Sequence, residues 1–378
     1  MGGSSQVWAR DGRIAVTGIG LVTPMARTTW RSVAALLHNR SRFAEHGTLL
    51  VAGGQRGTAL RGAIVSQALL GEARHGLTAA GLGGALLRPA LAECLAEFPR
   101  SMGEGMWLNV VSGLAATVEE VCDYAAGQAA LFSPDRTAVV HAGRHDRHLF
   151  IDQIRLAVDA LTAGACRAQV VACVDSLCFL PVLEELLTAG RLTNGANPEG
   201  IIPGEAAGAL LLEREEEARR RGAPIYACIA SLGSGFDPAP MVAGRPSTGR
   251  GLTEAFHRAF DQLSEKGDGV GLAVADLNGE RQRAAEWALT EGRVFGGRRE
   301  ELPLWLPAFV SGDCGAAIGA VQAVLAIAVM AKGKGGSGQV AISSLDDSGG
   351  AQVLCFGQGD FRTRHDLSRW RRLSKGEV

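Results

Sequence analysis

The stretch from Gly200 to Glu213, Gly-Ile-Ile-Pro-Gly-Glu-Ala-Ala-Gly-Ala-Leu-Leu-Leu-Glu, constrains the fold more than any other segment of the chain. A Pro-Gly turn delivers one acidic residue, Glu205, into a run of small residues and leucines that reads as an apolar strand. A charged helix, Glu213 to Arg221, follows and is closed by Gly222. A carboxylate between a tight turn and an apolar strand loses water that it must replace with hydrogen bonds. Glu205 therefore has a defined partner or a chemical task.

The rest of the chain alternates in the same way, which predicts α/β layers. Ile14 to Ile19 reads as a strand ending in Gly20, and Thr29 to Leu37 as a helix. Gly53 to Gly84 is Gly-rich and poorly periodic, so loops are expected there. Helices are expected over Leu86 to Glu97 and Ala116 to Ala126, and a strand over Thr137 to Ala142. Leu149 to Ala163 carries Ile151, Ile154, Val158 and Leu161 at helical spacing and is stopped by Gly164. Ala168 to Val174 reads as a buried strand. A second cycle follows: strand Ile225 to Leu232 ending in Gly233, helix Leu252 to Lys266, strand Val270 to Leu277 and helix Arg281 to Thr290. A small-residue helix from Ala316 and strands Gln339 to Ser343 and Gln352 to Phe356 complete it. The charged run 213–221 marks the junction, giving halves 13–222 and 223–360.

Composition narrows the functional classes. Of 378 residues, 47% are hydrophobic and 20% charged, enough apolar material for a sizeable core. The net charge of −1 gives no electrostatic footprint for nucleic acid. Eight cysteines are scattered without a Cys-x-x-Cys pair, as expected for buried thiols in a reducing cytoplasm. The N-terminal residues show no basic–apolar signal pattern. Ala316 to Ala331, the most apolar run, is interrupted by Gln322 and is shorter than the roughly 20 residues of a membrane span. A buried central helix is the expectation. Gly18 and Gly20 form a Gly-x-Gly after a strand, but no third glycine fits dinucleotide spacing. No cofactor is called for.

Three segments together resemble the β-ketoacyl synthases of the thiolase superfamily. Pro203 to Gly208, Pro-Gly-Glu-Ala-Ala-Gly, resembles their Pro-Gly-Glu-Gly-Ala-Gly motif. Arg13 to Pro24 looks like their opening strand and turn. Gly312 to Ala320, Gly-Asp-Cys-Gly-Ala-Ala-Ile-Gly-Ala, looks like their Gly-His-x-x-Gly-Ala-Ala-Gly-Ala helix start. The resemblance covers roughly residues 13 to 358. It implies a thiolase-like, five-layered αβαβα fold built from two duplicated halves, and a dimer formed through the central-strand region around Ala168 to Val174.

The family's chemistry needs a Cys nucleophile at a helix start, two His and a supporting Lys. By resemblance, Arg147 stands at the Cys position. No Cys, Ser or Thr lies between Thr137 and Thr162. Asp313 stands at the second His, Asn278 at the first and Ala308 about where the Lys belongs. Ser348, in Asp-Ser-Gly-Gly, replaces the gating Phe of Gly-Phe-Gly-Gly.

The same residues admit other roles. Asn278, Asp313 and His145 are the candidate catalytic groups; Glu205, Arg147 and Ser348 are the candidate substrate-binding groups. Glu280 is a candidate general base, although Asp276-Leu-Asn-Gly279 also reads as a plain strand end and turn. Asp146 is suited to cap the helix that follows it. His141, His145 and His148 fall at i, i+4 and i+7, a metal-ligand spacing if helical. The strand reading of Thr137 to Ala142 and the neighbouring Arg144 and Arg147 oppose a cation there, and no metal is expected.

Three functions follow. The first is a non-condensing ketosynthase-like protein in bacterial lipid or polyketide-type metabolism, binding an acyl group, an acyl carrier protein or a CoA thioester, as a homodimer or the inactive partner of a ketosynthase. The second is an acyltransferase working by direct transfer without a cysteinyl thioester. The third is a non-enzymatic scaffold.

Overall fold

The computed structural model describes residues 13–50, 59–66, 77–96, 98, 105–114, 135–143, 146–194, 197–239, 244–263, 269–296, 302–333 and 338–359. In chain order the elements are β1 (Ile14–Val22), α1 (Thr29–Leu37), β2 (Ala44–Leu50), β3 (Ala59–Gly62), α2 (Ala79–Cys94), β4 (Met106–Ser112), β5 (Arg136–His141), α3 (Leu149–Thr162), β6 (Ala168–Ser176), α4 (Leu180–Thr188), β7 (Glu205–Arg214) and α5 (Glu215–Arg220). Then come β8 (Ala227–Phe236), α6 (Arg250–Phe260), β9 (Val270–Ala275), α7 (Arg281–Val294), β10 (Leu304–Trp305), α8 (Ala308–Ser311), α9 (Ile318–Ala331), β11 (Gln339–Leu345) and β12 (Gly350–Gln358).

Ten strands form one sheet in the order β10-β9-β11-β12-β8-β1-β7-β6-β4-β5, and β2 pairs with β3 separately. Taking β1, β4, β5, β6 and β7 as one run and β8 to β12 as another, both read third, second, fourth, fifth, first across the sheet. The runs meet where β1 and β8 pair antiparallel, Ala15 opposite Cys228 and Val16 opposite Ala227. In each run the fifth strand is antiparallel to both neighbours, as β7 is to β1 and β6.

Helices complete the five layers of the thiolase-like fold. α2 covers the outer face of the first half-sheet, and α6, backed by α7, covers the second. α3 and α9 fill the layer between, in a core that takes side chains from both halves. α9 is apolar all round and almost wholly buried, the signature of a helix with no solvent face. Gln322 breaks that apolarity for a reason: its Nε2 donates to the carbonyls of Val274 (3.0 Å) and Ser343 (2.8 Å), tying α9 to the parallel strands β9 and β11. No helix among the described residues is long and apolar enough to cross a membrane.

The Gly-x-Gly of β1 is explained by packing. A Cβ on Gly20 would lie 1.8 Å from the carbonyl oxygen of Ala90 in α2, and one on Gly18 2.0 Å from that of Cys94. β8 repeats the device: Gly233 faces the carbonyl of Ala255 at 1.9 Å and Gly235 that of Gly251 at 2.0 Å, both in α6. Alternate residues of a strand share a face, so each glycine pair forms a strip on which an outer helix rests its backbone.

Several expectations shift. α2 begins at Ala79 rather than Leu86, because the Thr78 hydroxyl accepts the Gly81 N–H at 3.1 Å and caps it. β4 and α4 have no counterpart in the sequence reading. In β4, Asn109 interrupts the apolar run, yet its amide is satisfied by Gln153 at 2.8 Å. The helix expected over 116–126 lies outside the described residues. β6 is paired on both sides, by β4 and β7, and fully buried, so it has no edge to offer a second subunit. The outermost strand of that half is β5, whose residues are exposed or half-buried.

Replacing Gly20 by Val should cost at least about 1–3 kcal/mol, since only backbone movement relieves the clash with Ala90. Gly233→Val should cost a similar amount. Both are measurable as shifts of the denaturant midpoint.

Candidate functional site

Two sequence motifs meet through their backbones. The Pro203–Gly204 turn forms a bridge with Asp313: Gly204 donates its N–H to the Asp313 carbonyl at 2.7 Å, and Asp313 donates to the Ile202 carbonyl at 2.7 Å. Gly312 takes φ +73, a conformation that favours glycine. Gly204 leaves no room for a side chain, since a Cβ there would lie 2.3 Å from the Ser311 carbonyl oxygen. Glu205 faces away along β7, opposite Ser176 of β6. Its two oxygens accept from the Val65 N–H (2.6 Å) and the Ser176 hydroxyl (2.7 Å) in a site with no solvent exposure. That is a structural duty, tying the segment around residue 65 to the sheet.

Asp313, placed this way, meets Arg147. The arginine precedes α3 in the central layer and is 4% exposed. Its Nη1 donates to Asp313 and its Nε to Asp276 at 3.2 Å, with Asp276 just beyond β9. Burial alone would lower the Arg147 pKa, but the carboxylates of Asp313 and Asp276 reverse that and raise it. The Asp313 carboxyl, which burial would raise, is held below the usual range by Arg147, Asn278 and Arg283.

Asn278 continues the chain of contacts. Its Nδ2 donates to Asp313 (2.7 Å) and to Glu280 (3.0 Å), and its Oδ1 accepts the Glu280 N–H at 3.2 Å. Glu280, in turn, is gripped by Arg191 at 2.7 and 2.9 Å and approached by Arg283 at 3.4 Å. Arg283 also donates to Asp347 and to the Leu345 carbonyl (3.0 Å). Asp276 accepts the Leu345 N–H at 3.1 Å. Arg147, Arg283, Asp276, Asn278, Glu280, Asp313 and Asp347 are all buried. They form one continuous polar network between the two halves. Asp175, nearby at the end of β6, accepts the Ala316 N–H at 2.8 Å, and burial pushes its carboxyl up to about 6.

The structure thus brings Arg147, Asn278 and Asp313 together and adds Asp276, Glu280, Arg283, Arg191 and Asp347. Glu280 is held as an ion-pair partner rather than as a free base. His145 lies outside the described residues. Ser348 is the exposed residue of an otherwise buried turn between β11 and β12, where its N–H and hydroxyl are bonded to Asp346. Glu205 bonds elsewhere, as above. Asp146 does not cap α3; its carboxylate turns back to the Gly143 N–H at 2.9 Å. The histidines do not form a helical row: His141 ends β5, whereas His148 lies 3.2 Å from Asp152 and 3.0 Å from Asp346. Among the described residues no cluster of three metal-ligating side chains occurs. Sequence reasoning missed Arg191 and Arg283, although the excess of carboxylates over cations around Arg147 was a signal that further cations had to converge there.

Removing Arg147 strands two buried carboxylates. Arg147→Ala is expected to destabilise the fold by about 3–5 kcal/mol, read from chemical denaturation. His148 adds a pH signature. Burial lowers its pKa, but hydrogen bonds with Asp152 and Asp346 outweigh this and push it up to about 9, above the ordinary 6.5. Its stabilisation is therefore complete below pH 6.5 and lost as pH rises through about 9. His148→Gln should flatten stability over that window.

No family model matches the chain. It is 27% identical over 176 residues to the ketoacyl synthase alpha subunit of the tetracenomycin polyketide synthase of Streptomyces glaucescens, 45% of this chain and 41% of that one. It is 34% identical over 157 residues to a putative oxytetracycline β-ketoacyl synthase 1 of Streptomyces rimosus, 40% of this chain and 36% of that one. The matches therefore span only about two fifths of these relatives' length. A longer match, 27% over 363 residues, covers 82% of this chain and 83% of a putative polyketide β-ketoacyl synthase 2 of Streptomyces cyaneus. Among solved structures, the AntDE ketosynthase in complex with its acyl-carrier protein AntF superposes with TM-score 0.70 at 15% identity, over 93% of this chain and all of that one. The ishigamide ketosynthase/chain length factor superposes with TM-score 0.68 at 17% identity, over 92% and 99%. The chain accordingly shares the thiolase-like fold of these solved ketosynthases and is similar in sequence to ketosynthase subunits of polyketide synthases.

Proposed function

We propose that the chain is a non-condensing ketosynthase-like subunit that works beside a true ketosynthase in polyketide-type metabolism. One observation supports this reading: Arg147, which the resemblance aligns with the family's nucleophile, is a buried guanidinium locked between Asp276 and Asp313. A guanidinium is no nucleophile at any pH at which the fold survives. The described cysteines do not take its place. The seven described ones are buried. Burial pushes the thiols of Cys166 and Cys228 up to about 11 and those of Cys173 and Cys355 up to about 12, and it raises Cys94 and Cys314 further.

Direct acyl transfer would draw on Asn278 and Asp313 as acid/base groups. Their hydrogen-bonding capacity is already taken up by each other, by Glu280 and by Arg147, which favours the non-condensing reading over this one. The halves 13–222 and 223–360 fit the repeated strand order and are kept as the units of the proposal. Partner choice follows from the sheet. Among the described strands β5 is the outermost of the first half, and an edge strand is a template for another chain. Two of the similar solved structures are a ketosynthase with a chain length factor and a ketosynthase with its acyl-carrier protein. We extend that pairing to this chain as a heterodimer presented to a carrier protein.

Intact-protein mass spectrometry after incubation with acyl-CoA or an acylated carrier protein should show no adduct on this chain. A cysteinyl thioester would overturn the proposal. Co-expression with a type II ketosynthase alpha subunit should give a complex by analytical ultracentrifugation, weakened at least tenfold by Val139→Asp on β5.

A further inference from the structure

We propose that Arg191 is a releasable strap that closes the buried polar network from solvent and that its detachment is the local opening through which the site is reached. Arg191 follows Gly190 (φ +67) at the end of α4, on the first half of the chain. Its guanidinium grips two segments of the second half. Nε and Nη2 hold both oxygens of Glu280 at the start of α7, and Nη1 holds Asp347 in the β11–β12 turn at 2.7 Å. Its side chain is 19% exposed, against 7% for Glu280 and 1% for Asp347, so it is the outermost member. Behind it the contacts run inward without a break through Glu280, Asn278 and Asp313 to Arg147.

Two features make this contact releasable while the rest is not. First, Arg191 is partly hydrated already, so moving its charge into water costs little; Arg147 and Arg283 have no such route. Second, its departure leaves neither carboxylate without a partner. Glu280 keeps Arg283 at 3.4 Å and Asn278 at 3.0 Å, and Asp347 keeps Arg283. The usual penalty for breaking a buried ion pair, an ion left with no partner in low dielectric, is therefore reduced, since Arg283 is shared between both carboxylates. What is lost is the tie between the halves at this point, which frees the turn carrying Ser348 from one side.

The inference holds whether or not the site takes an acyl group, so its test is separate from that of the proposed function. Hydrogen–deuterium exchange by mass spectrometry would compare the intact chain with Arg191→Gln. The amides of Glu280 and of Leu345 to Gly350 should exchange at least tenfold faster, with those of α2 and α6 unchanged. Arg281→Gln, which breaks the exposed pair with Glu199 nearby, should leave all of them unchanged. Arg191→Lys, which keeps the charge but not the fork, should fall between and serves if the glutamine variant does not fold. Unchanged exchange in a folded variant would overturn the strap. So would uniform acceleration across every element, which would make Arg191 a general stabiliser.

Discussion

A single cation with no access to water organises the centre of this molecule. Arg147 enters from the first half and both of its carboxylate partners, Asp276 and Asp313, come from the second. Neither side can be buried without the other, because an unpaired ion in the interior costs several kcal/mol. The two halves are thus joined at their middle by charge as well as by the apolar layer of α3 and α9. Asp276, Asp313, Glu280 and Asp347 outnumber Arg147 on their own, and Arg283 and Arg191 complete the balance from α7 and from the segment after α4. The network is a chain of obligations in which each charge accounts for the next.

Glu205, the acidic residue after the Pro-Gly turn, is off this network. It holds Val65 and Ser176, while its neighbours Ile202 and Gly204 hold the backbone of Asp313. The turn therefore serves the site indirectly. Its proline and glycine set a backbone path with no room for side chains, and that path fixes where Asp313 begins.

The fold was legible wherever a run of residues had one periodicity and a clear stop. α1 and α3 were read to within a residue because their apolar faces repeat and because Gly164 ends α3. β4 was not, since Asn109 looks polar in isolation and becomes acceptable only once Gln153 arrives from another element. The site was half legible. Arg147, Asn278 and Asp313 came from setting the chain's motifs against those of the β-ketoacyl synthases it resembles. Arg191 and Arg283 lie in stretches with no motif, and their role is defined by carboxylates far away in the chain; a linear reading has no means of pairing 191 with 280 and 347. The expected contact around Ala168 to Val174 falls on a strand already paired on both sides, because apolarity identifies a strand as central and centrality leaves it without an edge.

The main-chain bridge between Pro203–Gly204 and Asp313 has a consequence of its own. Position 313 is located by amide and carbonyl contacts that are indifferent to what hangs from its α-carbon. Histidine, aspartate or asparagine would each set out from the same point in the same direction. A scaffold of this kind separates address from occupant: it preserves where a functional group must stand while leaving open which group stands there.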